Sequence, residues 1–168
     1  MRHPVVRALG LAVLLCGIAA HAQSAAPSTA AERKQIVELA KKLEQNPLDK
    51  SLTEDALRLS QRIVDVPDIT VTLCTGAMPW VQEGYKYSPA LAMVYTFATA
   101  SYVIEHPEKD SGDSSWGGIQ AALHAYKNIV KQQPEARSRA AEKALEQETK
   151  GKLEKSVKEK CGPEKEGS

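Results

Sequence analysis

The chain has 168 residues, a length that suits one domain, and its 22 basic and 21 acidic residues leave a formal net charge of +1. Such a balance gives no long-range attraction to nucleic acid or to an anionic membrane surface. We therefore expect no nucleic-acid partner.

The amino terminus has the three regions of a secretory signal peptide. Two arginines precede a short apolar run over residues 8–20, and the small residues Ala20 and Ala22 stand where a signal peptidase reads the chain. The run is too short to span a bilayer, and no later run approaches the roughly 20 apolar residues of a membrane span. We predict a signal peptide over residues 1–22 and a periplasmic or secreted product without stable membrane insertion. A buried amino-terminal helix is the alternative.

Cleavage after Ala22 would remove Cys16 and leave Cys74 and Cys161 in the mature chain. Two distant thiols in an exported protein favour a single disulfide, which stabilises by about 4 kcal/mol in the chain-entropy model. Two free buried cysteines are the alternative. A cysteine-based metal site is not expected, because neither cysteine has a second cysteine or a histidine at ligand spacing.

A helical domain is predicted from residue 30 to residue 161, after a disordered lead-in over residues 23–29 that is rich in Ala, Ser and Pro. Two segments with helical periodicity open this domain. The first ends at Pro47, and the second runs from an N-cap at Thr53 to Pro67. Their predicted apolar stripes are Ile36, Leu39, Ala40 and Leu43, then Ala56, Leu59, Ile63 and Val66.

Residues 68–74 alternate apolar and polar side chains as a strand does. No second strand is visible for them to pair with, and a lone strand leaves its backbone groups unsatisfied. We predict an extended connector in which Ile69, Val71 and Leu73 pack inward and which delivers Cys74 to its partner.

Two helices over residues 88–134 form the predicted centre of the fold. All eight aromatic residues of the chain lie at or between Trp80 and Tyr126. The first helix, capped by Ser88, is apolar on most of its circumference, as buried helices are. The second begins near residue 114, and its Gly117-Gly118 pair either weakens the first turn or lets another backbone approach closely.

Residues 135–160 are rich in Lys, Glu and Ala, with a thin apolar stripe interrupted at Gly151. This pattern predicts two helical pieces packed along the core and pinned by Cys161, followed by a disordered tail over residues 162–168. The predicted fold is an all-α, single-domain, irregular bundle of about five to six helices with one disulfide.

The second central helix resembles the second helix of a tetratricopeptide repeat. Ala122, Tyr126, Ile129 and Pro134 stand at the spacing of its small residue, aromatic, small residue and closing proline, although Ile129 is large. The first-helix signature is missing, and the closing prolines are 134 − 107 = 27 residues apart instead of about 34. The resemblance implies an antiparallel helix pair with repeat-like packing, not a peptide-binding array.

A looser resemblance lies in residues 103–107 and 121–123, which are similar to runs in small exported bacterial proteins of unassigned role. Some proteins of that kind are immunity factors against secreted toxins. The resemblance implies, as one possible role, immunity or inhibition directed at a toxin or hydrolase in the same compartment.

Catalytic sequence motifs of hydrolases, zinc proteases and nucleotide-binding enzymes are absent from the chain. Glu105, His106 and His124 could form a small metal-binding or catalytic site if the two central helices brought them to the same height. Otherwise a histidine at a helix carboxyl terminus interacts favourably with the helix dipole. We predict no enzyme and no cofactor.

The function predicted from the sequence is that of an exported helical binding or scaffold protein acting through protein–protein contact with an unknown protein partner. Aromatic side chains on loops make good interface anchors. The candidate binding residues are Trp80, Tyr85, Tyr87 and Trp116. Each could equally pack in the core.

Overall fold

The computed structural model describes residues 26–78, 80–81 and 84–163. The predicted signal peptide, with Ala20 and Ala22 at its cleavage site, lies outside these residues. Within the described ranges the chain is all-helical, without a strand. Its α-helices are α1 (Ala30–Gln45), α2 (Lys50–Asp65), α3 (Ser88–Glu105), α4 (Ser111–Gln132), α5 (Arg139–Thr149) and α6 (Lys152–Cys161). Short 3-10 turns at Thr75–Ala77 and Pro134–Ala136 complete the fold, which confirms the predicted single helical domain.

Helix α1 buries the predicted stripe of Ile36, Leu39, Ala40 and Leu43. It begins at a capping box, in which the Thr29 hydroxyl accepts the Glu32 amide proton and the Glu32 carboxylate accepts the Thr29 amide proton. Part of the predicted disordered lead-in contacts the helical domain, because the Ser28 amide and hydroxyl both donate to the Asp68 carboxylate. Contacts of the helical domain extend back to Ala26, whose carbonyl oxygen accepts a proton of the Arg62 guanidinium, ahead of the predicted boundary at residue 30.

The N-cap of helix α2 lies four residues before the predicted Thr53 cap. Asp49 is the N-cap, and its carboxylate accepts the amide protons of Ser51 and Leu52. Thr53 instead lies within the first turn and donates its hydroxyl to the Asp49 carbonyl oxygen. An earlier capping residue was available, so the prediction of the helix start was wrong.

The connector after α2 is extended and unpaired in the described structure, as predicted. Ile69 is buried and Val71 is half-buried, but Leu73 is 61% exposed, which contradicts its predicted inward packing. The cause is Tyr95, whose hydroxyl donates to the Thr72 carbonyl oxygen and accepts the Cys74 amide proton. The backbone on both sides of Leu73 thus faces α3, and its side chain is left in solvent.

The disulfide between Cys74 and Cys161 confirms the predicted pairing, with the two Cα atoms 5.7 Å apart. It joins the end of the connector to the end of α6. Helix α6 is also attached to the start of α4, where the Ser111 hydroxyl donates to the Cys161 carbonyl oxygen and the Lys158 ammonium lies 2.8 Å from an Asp113 carboxylate oxygen. The tail is thereby pinned, as the sequence predicted.

Helices α3 and α4 form the centre of the core. Leu91, Val94, Tyr95, Phe97, Ala100, Ile119, Ala122, Leu123, Ala125 and Ile129 are all 0% exposed. Both helix starts differ from prediction. The Ser88 hydroxyl donates to the Trp80 carbonyl oxygen instead of capping α3. Helix α4 starts three residues early, because the Asp110 carboxylate accepts the Asp113 amide proton.

The Gly117-Gly118 pair lies where α4 approaches side chains of α3. A Cβ atom on Gly118 would lie 2.2 Å from Thr99 Oγ1 and 2.8 Å from Tyr95 Cδ2. On Gly117 it would lie 2.7 Å from Tyr102 Cδ2. Of the two roles that the sequence allowed, close approach is the one observed, although side chains and not backbone occupy the space.

The predicted interruption at Gly151 separates α5 from α6, and this residue has a positive φ of 66°. The left-handed conformation costs glycine little, and it lets the chain turn sharply between the two helices.

Among the described helices none is long and apolar enough to cross a membrane.

A test of the amino-terminal contacts follows from Glu32. The pKa of its carboxyl is lowered to about 2, chiefly because Arg62 donates a hydrogen bond to it and also because Thr29 does. A lowered folded-state pKa stabilises the fold above the unfolded pKa of about 4.3, and this contribution is lost as the pH falls towards 2. Glu32→Gln should therefore lower the free energy of unfolding at pH 7, and the difference from wild type should shrink below about pH 4.

Urea unfolding across pH 2 to pH 7 would measure this difference. The matched control is Glu38→Gln on the same helix, where the carboxylate is exposed and lies 3.8 Å from Lys34. Such surface pairs contribute little, so the control should unfold as wild type does. A Glu32→Gln deficit that stayed constant down to pH 2 would contradict the assigned role of its negative charge.

Candidate functional site

The four predicted binding aromatics do not share one exposed surface. Trp80 is 1% exposed and Tyr87 is 5% exposed, so both lie in the core. Tyr85 and Trp116 are half-buried and pack against that core. Among the residues that the structure describes, the Trp80 indole nitrogen finds no hydrogen-bond partner. These aromatics are mainly packing residues in this conformation.

The tyrosines hold the connection between α4 and α5. The Tyr85 hydroxyl donates to the Ala136 carbonyl oxygen at 2.7 Å, and the Tyr87 hydroxyl donates to the Gln133 side-chain oxygen. Tyr126 donates to Glu142 at 2.7 Å while its oxygen accepts the amide proton of the next helix cap. Burial raises the pKa of Tyr126 to about 12. Three hydroxyl groups thus anchor this connection, which accounts for Tyr85 and Tyr87 without a ligand.

The candidate metal ligands are engaged separately. His106 is the exposed C-cap residue of α3, where its backbone N–H donates to the Tyr102 carbonyl oxygen, and its ring packs against the Tyr102 ring with centroids 4.6 Å apart. The His124 Nδ1 atom lies 2.9 Å from a Glu44 carboxylate oxygen. Glu105 accepts the Ser101 hydroxyl proton. Across the described ranges, no group of three or more His, Cys, Asp or Glu residues could hold a metal ion.

The outward side of α2 carries an apolar surface that the sequence reading missed. Leu57 is 61% exposed and Val64 is 78% exposed. They are seven residues apart, which places them on one side of the helix and roughly 10 Å apart along its axis. At 100° per residue they point roughly 130° away from the stripe that packs on α1 and α3. Helix α2 is therefore apolar on two sides.

Most residues around this apolar pair are uncharged, although the exposed Glu54 lies three residues before Leu57 and therefore next to it on the helix surface. Thr53, Leu57, Ser60, Gln61 and Val64 share the outward side, and we name them the outer stripe of α2. The charged residues of α2 flank this stripe, and three of them are already paired: Arg62 lies 2.7 Å from Glu32, and Arg58 is bonded to Asp55. The outer stripe is thus a neutral strip with charged margins, a composition similar to that of interface centres, which are depleted in charge.

A cleft of about 260 Å³ adjoins the outer stripe at Thr53. It lies between the turn that joins α1 to α2 and the start of α3, and we name it the α2–α3 cleft. Leu48 and Met93 give it partly buried apolar walls, and the Lys86 ammonium on its rim lies 5.1 Å from the centroid of the Tyr87 ring. Its lining residues are Leu43, Pro47, Leu48, Thr53, Lys86, Pro89, Ala90 and Met93.

The buried side of α2 determines which of its residues face outward. Ala56 and Ile63 are buried, so the packing of α2 on its neighbours holds the helix in one orientation. Leu57 and Val64 are each one residue beyond Ala56 and Ile63, and this offset turns them away from the core. A search for two separate periodic sets on one helix could have found them in the sequence.

Comparison with known proteins gives no match to a family model, to a curated protein or to a solved structure.

Proposed function

We propose that this protein is exported to the periplasm or secreted, and that it acts by binding another protein and not by catalysis. The contact surface in this proposal is the outer stripe of α2 together with the α2–α3 cleft. The observation that carries it is the pair of exposed side chains, Leu57 and Val64, on a mostly uncharged side of a well-packed helix. Apolar surface rimmed by polar residues is typical of interaction sites.

Fully burying an exposed Leu or Val side chain is favourable by about 1.5–3 kcal/mol, so two such residues can provide a substantial share of a moderate affinity. Because the stripe carries no charge, a partner would not have to desolvate an ion at its centre. The adjoining cleft could accept one larger side chain of the partner, as pockets beside flat interfaces do.

Export rests on the amino-terminal charge and hydropathy pattern and on the Cys74–Cys161 disulfide. Disulfides persist in oxidising compartments and are rare in the cytosol. The mass of the protein recovered from outside the cytoplasm tests this part directly. We expect a chain that begins at Gln23 and that resists thiol alkylation at both remaining cysteines.

Photo-crosslinking in the exporting cells tests the contact surface. A photoreactive phenylalanine is placed at Gln61, in the centre of the outer stripe, and in a parallel sample at Gln132, an exposed position on α4. We expect a discrete protein adduct from position 61 and none from position 132. If that adduct is a toxin or hydrolase, its activity in the purified complex would test an inhibitory role.

Competition makes the result specific to the stripe. Excess unlabelled wild type should abolish the adduct, whereas excess Leu57→Ser/Val64→Ser should not, because it lacks the apolar pair. Lys131→Ser/Gln132→Ser, with the same residue introduced at exposed positions of α4, should compete as wild type does. Equal competition by the stripe variant, or equal adducts from both positions, would contradict the proposal.

A further inference from the structure

A second surface depression lies away from α2, between α5, α6 and the 3-10 turn Thr75–Ala77. Its volume is about 360 Å³, at the lower end of the range for small-molecule sites. We name it the α5–α6 cleft. Its lining residues are Gly76, Ala77, Ala140, Lys143, Ala144, Gln147, Leu153, Ser156, Val157 and Lys160.

The floor of this cleft is apolar and belongs to the core. Ala77, Ala144, Leu153 and Val157 are all buried. Space is left above them in part because two of the four α5 side chains that line the cleft are small, Ala140 and Ala144, one turn apart. The cleft therefore has a firm floor, since its residues are held by the core beneath them.

The 3-10 turn Thr75–Ala77 forms the third wall, and the disulfide attaches this turn to α6. Cys74 immediately precedes the turn that contributes Gly76 and Ala77, and Cys161 immediately follows Lys160. The covalent bond thus holds the turn against α6 at one end of the cleft. Because this wall is covalently attached, the cleft needs no ligand to hold it open.

The rim is cationic. Lys143 on α5 and Lys160 on α6 both line the cleft, and neither forms an ion pair within the part of the chain that the structure describes. No carboxylate is among the described lining residues. Two acidic residues of α5 lie near Lys143 in sequence, and both are outside this lining: Glu142 accepts the Tyr126 hydroxyl proton, and Glu146 is paired with Lys150. Gln147 and Ser156 add uncharged hydrogen-bonding groups to the rim.

We propose that the α5–α6 cleft binds a small organic anion, a carboxylate with a short aliphatic body. The body would cover the floor of Ala144, Leu153 and Val157, and the carboxylate would lie between Lys143 and Lys160. The α2–α3 cleft, lined by one cation and apolar residues, lacks this pair of unpaired ammonium groups. The proposal is independent of the protein contact at the outer stripe, because the two surfaces share no residue.

The test uses the oxidised, isotopically labelled protein and follows its amide resonances in low salt. Hexanoate is the probe. Acetate has the same charge without the body, and hexylammonium has the same body with the opposite charge. We expect saturable shifts of the amide resonances around Ala77, Ala144 and Val157 only. Hexanoate should cause these shifts, and neither acetate nor hexylammonium should. These shifts should weaken as the ionic strength is raised.

Two variants of equal net charge complete the test. Lys143→Gln/Lys160→Gln should raise the dissociation constant for hexanoate about tenfold, which is the scale expected for losing two exposed ionic contacts. Lys131→Gln/Lys152→Gln, at exposed positions outside the cleft, should bind as wild type does. Equal weakening in both variants, equal shifts with acetate or hexylammonium, or no saturable hexanoate binding would each overturn the proposal.

Discussion

Reduction of the Cys74–Cys161 disulfide should lower the free energy of unfolding by about 4 kcal/mol. The two cysteines are 87 residues apart, and cross-linking a loop of that length removes a large entropy from the unfolded chain. A single domain is stable by only about 5–15 kcal/mol, so the reduced protein should be close to marginal at 25 °C. Urea unfolding with and without a reductant measures the difference.

The control is the double variant Cys74→Ser/Cys161→Ser. It should unfold at the same urea concentration with or without reductant, and close to the reduced wild type. A wild type that unfolds identically in both redox conditions would show that the disulfide contributes nothing to stability. A reductant effect on the double variant would assign the change to the reagent instead.

Gly118→Ala should destabilise the protein by about 2 kcal/mol, because an overlap cost of about 3 kcal/mol exceeds the gain of about 1 kcal/mol from the better helix propensity of alanine. The added Cβ would lie 2.2 Å from Thr99 Oγ1 and less than 3.0 Å from two carbons of the Tyr95 ring. Tyr95 has little freedom to retreat, because its hydroxyl is bonded to the connector at Thr72. Overpacking of this kind typically costs about 1–3 kcal/mol, and three overlaps place this site at the upper end. Thermal and urea unfolding measure the change.

Gly76→Ala is the matched control, because a Cβ atom there meets nothing within 4 Å. It should change the free energy of unfolding by less than about 0.5 kcal/mol. Adding Thr99→Ala to Gly118→Ala should recover part of the loss, since it removes the nearest overlapping atom, and a double-mutant cycle isolates that coupling. A stabilising Gly118→Ala would refute the close approach of α4 to α3.

The predicted helical periodicity located the core well, because burial requires the same spacing that the sequence displays. The stripe of α1 was predicted in full, and the break at Gly151 separates α5 from α6 as expected. The disulfide could also be predicted, since the predicted signal cleavage leaves two cysteines and therefore one pairing. These features depend on composition and period, which are local properties of the sequence.

The features that sequence reasoning missed depend on competition between neighbours. Asp49 and Asp110 are the N-caps of α2 and α4, because their carboxylates accept amide protons of the first turn. Each lies ahead of the residue that was expected to begin the helix. Trp80 and Tyr87 were expected as candidate anchors, yet tertiary packing covers both. Leu57 and Val64 were missed because only one apolar side was predicted for α2. Which aromatic is covered depends on contacts between segments distant in sequence.

The disulfide also divides the covalent topology of the chain. Residues 74–161 form a closed ring that contains α3 to α6, whereas α1 and α2 form an arm outside it. One backbone cut within residues 133–138 would leave a single covalent molecule, but one cut within residues 69–73 would yield two. The outer stripe lies on the arm and the α5–α6 cleft lies on the ring. A single proteolytic event in the connector could therefore separate the two surfaces once α1 leaves α3.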